Sequence, residues 1–183
     1  MDANLEQALN PRKFPLFAVR GCAGSGKSTF AEKLKQAIER KSALVSGPYS
    51  EVKIFENDEF FIDPVTKEYK FDRDLCPIAA QWTLGRVANT LHLHQKTPCI
   101  VANTFTTFPE LEPYMKLASY FRLWLVVFRM RDFYGSIHNV PDEVIKEMQE
   151  RLSRTRFKGE IWVDAHNEDH IVNQVAEWVV SRR

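Results

Sequence analysis

Residues 21–29 read Gly-Cys-Ala-Gly-Ser-Gly-Lys-Ser-Thr, and they constrain the fold more than any other stretch of the chain. They follow the apolar run Pro15-Leu16-Phe17-Ala18-Val19-Arg20 and precede Phe30-Ala31-Glu32-Lys33-Leu34, which reads as helix. The pattern G-x-x-x-x-G-K-[ST] between a strand and a helix is a phosphate-binding loop, or P-loop. Gly21, Ala23, Gly24, Ser25, Gly26, Lys27, Ser28 and Thr29 are therefore the expected nucleotide-binding residues. The glycines let backbone N–H groups turn inward around the phosphates. Lys27 is expected to reach the β- and γ-phosphates, and the Ser28 hydroxyl to hold Mg²⁺. A helix opening at Lys27 directs its positive dipole end and unpaired N–H groups at the same anion. The alternative, a glycine-rich turn that binds nothing, fits this context poorly. The expected ligand is ATP with Mg²⁺.

The 183 residues suit one domain with a substantial core, and 44% hydrophobic and 27% charged residues are ordinary for a globular protein. With a formal net charge of +1, nothing marks the whole surface as a field for polyanions. A protein tracking a long nucleic acid neutralises several phosphates with a basic stripe. One phosphate-bearing end, or a small substrate, needs far less charge. Cys22, Cys76 and Cys99 have no metal-ligand spacing, and their odd number suggests reduced thiols in a cytosolic setting. Met1-Asp2-Ala3-Asn4-Leu5-Glu6 lacks the features of a signal peptide, and no apolar run approaches the ~18 residues of a membrane span. A soluble, cytoplasmic protein without a membrane partner is expected. Oligomeric state is not legible in these features.

Strand-like apolar runs alternate with helical patterns along the chain. Val52-Lys53-Ile54-Phe55 reads as a second strand, and residues 63–72 as a loop rich in turn signals. Pro77 suits the first turn of a helix whose apolar face is Leu75, Ile78, Ala79, Trp82, Val87 and Leu91. The strand Pro98-Cys99-Ile100-Val101-Ala102 and a helix over 110–121 follow. Leu123-Trp124-Leu125-Val126-Val127-Phe128 has the continuous apolarity of a strand buried on both faces of a parallel sheet. Pro141 opens a helix carrying Val144, Ile145, Met148 and Leu152, Ile161-Trp162-Val163 forms a short last strand, and a tail helix buries Ile171, Val172, Val175 and Val179. This alternation predicts an α/β fold, a P-loop three-layer sandwich with a five-stranded, mostly parallel sheet. One domain over 1–183 is expected, with a lid around 131–158. Ligands in such sheets lie beyond the carboxyl ends of the strands.

After the second strand comes Glu56-Asn57-Asp58-Glu59-Phe60-Phe61, which places acidic groups opposite Lys27. Phosphoryl transfer to a hydroxyl benefits from a carboxylate that orients the nucleophile and accepts its proton. Asp58 is the expected general base. The alternatives for such a carboxylate are Mg²⁺ held through water, or a cap on the following turn. Phe60 and Phe61, with Tyr69, Phe71 and Trp82 nearby, are candidates for stacking on a base, against the plain alternative that most of them are core. Trp82, on a helical apolar face, is expected in the core. The third strand ends Ala102-Asn103-Thr104, where many P-loop NTPases carry a metal-organising Asp. Here Ala102 or Asn103 takes that place, which weakens the reading as an ATPase motor. Asn103 and Thr104 remain candidates for hydrogen bonds to substrate or to the metal's waters.

The fourth strand runs into Arg129-Met130-Arg131, with Arg151, Arg154, Arg156 and Lys158 beyond. An arginine closing over the γ-phosphate is worth roughly 10³–10⁵ in rate. Arg129, Arg131 and Arg154 are the candidates, against the plain reading of cations at helix ends and on the surface. His166 and His170 have the i, i+4 spacing of a helical metal site, but no third ligand joins them, and a solvated helix start is the better account.

Taken together, the P-loop, Asn57-Asp58-Glu59-Phe60-Phe61, Tyr69-Lys70-Phe71-Asp72, Ile100-Val101-Ala102-Asn103-Thr104 and His138-Asn139-Val140-Pro141 resemble the P-loop kinases related to polynucleotide 5′-hydroxyl kinase, an AAA-type ATP-binding kinase domain. The resemblance covers roughly residues 17–152. It implies that Lys27 and Ser28 bind ATP·Mg²⁺ and that Asp58 is the general base. The chain departs from that family in having Ala102 and Phe105 where an acid and a second Asn usually stand. The family's arginine pair before the His-Gly-Val-Pro turn falls on Tyr134 and Gly135. The leading expectation is a kinase that moves the γ-phosphoryl group of ATP to a hydroxyl of a nucleic-acid end or nucleoside. The alternatives are a kinase of a hydroxymethylated base in phage-type DNA, a small-metabolite kinase, and, outside catalysis, a nucleotide-dependent switch or adaptor.

Overall fold

The computed structural model describes residues 5, 8, 9, 14–45, 47, 51–94, 97–135 and 140–181. Five strands, β1 (Pro15–Arg20), β2 (Lys53–Phe55), β3 (Cys99–Ala102), β4 (Trp124–Met130) and β5 (Ile161–Val163), pair in the order β2-β3-β1-β4-β5. Every pairing is parallel, so the expectation of a mostly parallel sheet sharpens to a wholly parallel one. Between the strands run α1 (Lys27–Leu44), α2 (Cys76–Leu93), α3 (Phe108–Tyr120), α4 (Asp142–Arg154) and α5 (Glu168–Val180).

The period-2 alternation of a strand explains the layering. Phe17 and Val19 of β1 enter one core with Phe30, Leu34 and Ile38 of α1 and Val172, Val175 and Val179 of α5. Leu16 and Ala18 enter the other with Val87 and Leu91 of α2 and Leu111, Tyr114 and Ala118 of α3. All six residues of β1 are buried, which is why the strand reads as an unbroken apolar run. Phe30 locks the first turns of α1 onto the sheet through an edge-to-face contact with Phe128 at 5.1 Å. Truncating so buried a ring costs about 3–5 kcal/mol.

Two features of α2 differ from expectation. Its buried face is Ala79, Thr83, Val87 and Leu91, an i, i+4 stripe, whereas Leu75, Ile78 and Trp82 lie off it and are 37%, 51% and 39% exposed. Trp82 is thus a surface residue. It receives the edge of Phe60 at 5.7 Å and lies under the Arg86 guanidinium at 4.3 Å.

The chain leaves β1 at the centre of the sheet, with β3 on one side and β4 on the other. Connections on the two sides depart toward opposite faces, and a crevice opens beyond the carboxyl end of β1. The P-loop occupies that crevice.

Candidate functional site

The P-loop holds its shape through backbone geometry. Gly24 and Gly26 have φ of 75° and 81°, in the left-handed region that glycine tolerates. Gly26 is also the N-cap of α1, and a Cβ there would lie 3.1 Å from the Tyr134 ring. At Gly21 a Cβ would collide with the Ser25 hydroxyl. The loop is braced from both flanking strands. Gly21 N–H donates to the Thr104 carbonyl at 3.1 Å, and Tyr134 N–H donates to the Gly24 carbonyl at 2.8 Å. Lys27 Nζ donates to the Cys22 carbonyl at 2.8 Å within the loop. Burial pushes the Lys27 ammonium pKa down, while Asp58 and Glu56 are among the neighbours that oppose the shift. Ser28 and Thr29 are exposed at the mouth of the loop.

A cleft of about 1190 Å³ lies in front of the loop. One wall is Ala23, Gly24, Gly26, Lys27, Ser28 and Thr29; the facing wall holds Asp58, Phe61, Tyr69, Phe71 and Arg73; α4 contributes Val144, Met148 and Arg151. The facing wall begins in a 3₁₀ turn, Asn57–Phe61, closed by a capping box between Glu56 and Glu59. Asn103 fixes this turn to β3, accepting from Asn57 N–H at 2.7 Å and donating to Asn57 Oδ1 at 3.1 Å. Glu59 is tied to Arg86 at 2.6 Å. Asp58 instead faces the cleft, where the Tyr69 hydroxyl donates to its Oδ1 at 3.3 Å. Burial, with Asp58 adding to it, pushes the Tyr69 phenol well above its ordinary pKa, so it stays a donor. Tyr69 and Phe71 stand with ring planes inclined by 16° and centroids 6.5 Å apart, and Phe61 packs against Phe71 at 5.1 Å. Phe71 is 56% exposed, an apolar face open to the cleft.

Glu56 ends β2 behind this turn. Its carboxylate lines the cleft together with Ser28; burial raises its pKa, and the neighbouring Ser28 side chain opposes that shift. Its Oε1 is buried with no hydrogen-bond partner.

The structure separates the arginines that look alike in sequence. Arg129 does not line the cleft. It lies beneath the sheet edge, 8% exposed, with Nη1 3.2 Å from Glu160 Oε1. Arg20 Nη1 meets Glu160 Oε2 at 3.0 Å, and both arginines donate to the Thr155 carbonyl. Arg129 therefore clamps the chain after α4 to the ends of β1 and β4. Arg131 lies against Trp162 at 5.2 Å and 3.7 Å from Asp164, and Arg154 lies on the surface 3.9 Å from Glu150. Neither lines the cleft, and neither does Phe60, which packs on Trp82. The arginines that do are Arg151 and Arg73. Arg151 shares a helical face with Val144 and Met148, at i, i+4 and i+7, and that spacing was the available signal. Glu56 had no comparable signal, because only its contact with Ser28 marks it.

Asn103 and Thr104 both line the cleft, and Gly21 and Ser25 support the loop from beneath. His166 and His170 are exposed at the start of α5, and no group of three metal-ligating side chains exists among the described residues. His138 and Asn139 lie outside the described residues. Among the described residues no helix is long and apolar enough to cross a membrane.

No protein-family model matches the chain. Over 151 residues it is 30% identical to the uncharacterized protein PM0531 of Pasteurella multocida, an alignment that spans 80% of each protein. Among solved structures, Kti12 of Chaetomium thermophilum, determined with ADP-AlF3, superposes with a TM-score of 0.60 at 13% identity, covering 90% of this chain and 99% of that one. A gluconokinase of Sinorhizobium meliloti superposes with a TM-score of 0.52 at 17% identity, covering 93% and 94%. The fold is thus a P-loop NTPase-like α/β sandwich with a wholly parallel five-stranded sheet.

Proposed function

The chain belongs to the family of the Pasteurella multocida protein PM0531, and we propose that it is an ATP-dependent kinase acting on a hydroxyl acceptor. The observation that carries this reading is one cleft with the P-loop on one wall and Asp58 on the other. A switch protein needs the first wall alone; a kinase needs both. Lys27 and the loop N–H groups bind the β- and γ-phosphates of the donor. Asp58 orients the acceptor hydroxyl and takes its proton, while the Tyr69 hydroxyl holds the carboxylate in place. Arg151, on the cleft side of α4, is the arginine set to neutralise charge on the transferring group, and α4 is the lid element that carries it.

The Ser28 hydroxyl at the mouth of the loop suits Mg²⁺, which keeps several waters and rests on donor phosphates and few protein ligands. Bound there, Mg²⁺ draws charge from the phosphoryl oxygens. The aromatic wall of Phe61, Tyr69 and Phe71 favours an acceptor with a flat ring, hence a nucleoside or nucleic-acid end. The net charge of +1 supports a short acceptor over a long duplex track.

The deciding experiment supplies γ-labelled ATP with single-stranded DNA and RNA, hydroxymethylated duplex DNA, nucleosides and sugar acids. Label is expected on a nucleoside or a nucleic-acid 5′ end. Tight ATP binding with no acceptor labelled sinks the kinase reading in favour of a nucleotide switch.

A further inference from the structure

We propose that Glu56 supplies the metal-organising carboxylate of this site, from the end of β2, in place of the one that β3 lacks. The proposal rests on the kinase reading, because it concerns the cation that accompanies the nucleotide. In P-loop NTPases the Mg²⁺ is held by the P-loop Ser or Thr together with an acidic residue on a neighbouring strand. Here the end of β3 is Ala102, 4% exposed and unable to fill that role. Parallel pairing of β2 with β3 runs Lys53↔Cys99, Ile54↔Ile100, Phe55↔Val101, so the next residue, Glu56, comes level with Ala102. The acid has moved sideways by one strand. It still meets the P-loop, because Glu56 and Ser28, the serine expected to meet the cation, line one cleft as neighbours.

The other role open to Glu56 is to cap the 3₁₀ turn that follows it. Capping occupies one carboxylate oxygen and explains neither the Ser28 contact nor the position facing the cleft. Its Oε1 is buried without a partner, an arrangement that costs stability unless something else satisfies it. A water of the hydrated cation supplies that partner. Neighbouring acids do not compete for the role. Glu59 is committed to Arg86, and Asp58 points to Tyr69 and the acceptor wall.

The test uses the full chain and separates nucleotide from metal. ADP affinity is measured by calorimetry in EDTA, and Mn²⁺ affinity of the ADP complex by the free-ion EPR signal. Glu56→Gln is expected to keep ADP affinity in EDTA within about twofold and to weaken Mn²⁺ binding about 10- to 100-fold, the range seen when a partner of a bound metal is removed. The double variant Glu56→Gln with Ala102→Asp returns the acid to β3 and is expected to recover most of that loss. Mn²⁺ affinity in Glu56→Gln within twofold of the parent overturns the proposal. So does an equal loss of ADP affinity in EDTA, which marks a purely structural role. A parent chain that binds no ADP with or without metal overturns the kinase reading and this proposal with it.

Discussion

The two walls of the cleft are built on different principles. The P-loop wall is backbone: left-handed glycines, a helix N-terminus, and braces from Thr104 and Tyr134. Its facing wall is side chain: Asp58, Tyr69, the half-exposed Phe71 and Arg73. A phosphate chain is common to all nucleoside triphosphates, so a fixed array of N–H groups serves it. An acceptor is particular, and side chains on a turn and loop are the parts of a fold that change without disturbing the core. On the proposed kinase reading, the contrast teaches that the donor site is read from shape and the acceptor site from chemistry.

The contrast is open to challenge first at Arg151 and Arg129. If α4 delivers the charge that acts on transfer, Arg151→Ala lowers the transfer rate by about 10³ or more while leaving the thermal midpoint within a degree or so of the parent. Arg129→Ala is expected to do the reverse, costing about 2–3 kcal/mol by leaving Glu160 short of a partner. Thermal melts and steady-state rates on the two variants decide it, and a rate loss confined to Arg129→Ala would return the catalytic role to β4.

Next in size is the division of labour between the walls. Asp58→Asn keeps shape and removes the proton acceptor, so transfer falls about 10²–10⁴-fold with ATP affinity nearly unchanged. Lys27→Ala is expected to weaken ATP binding as well. A variant of Asp58 that loses nucleotide would show that the walls are not separate.

The smallest effect concerns Glu56 and pH. Burial raises its pKa, so the folded chain holds that proton more tightly than the unfolded one. Its contribution to stability is present in acid and is lost as pH rises through the folded value. In thermal melts, the stability of metal-free Glu56→Gln should therefore climb above that of the parent as pH rises from about 4, by no more than about 1 kcal/mol. A constant offset across the titration would mean that Glu56 is not strained by burial.

The strand–helix alternation and the P-loop were legible because both are local. The buried run of β1, the turn-forming glycines and the lysine–serine pair all lie within residues 15–28. The burial of Trp82 was misjudged for a related reason. On a helix with apolar residues over a wide arc, periodicity alone does not say which edge meets the sheet, and the stripe through Thr83 won. The arginines were not separable at all. Arg129 is 31 positions from Glu160, and only the closing of β4 beside β5 makes that pair.

By itself, the sequence determined that residues 21–29 form a P-loop turn between strand and helix and that an acid follows the second strand, because short-range steric and hydrogen-bonding rules dictate both. Tertiary structure alone decided which acid faces which partner. Asp58 meets Tyr69 on the wall facing the P-loop, Glu59 is paired with Arg86, and Glu56 lines the cleft beside Ser28. Three carboxylates within four positions have one chemistry in the sequence and three in the fold. A carboxylate's role is set by the charges and donors around it, and strands far apart in the chain bring those together.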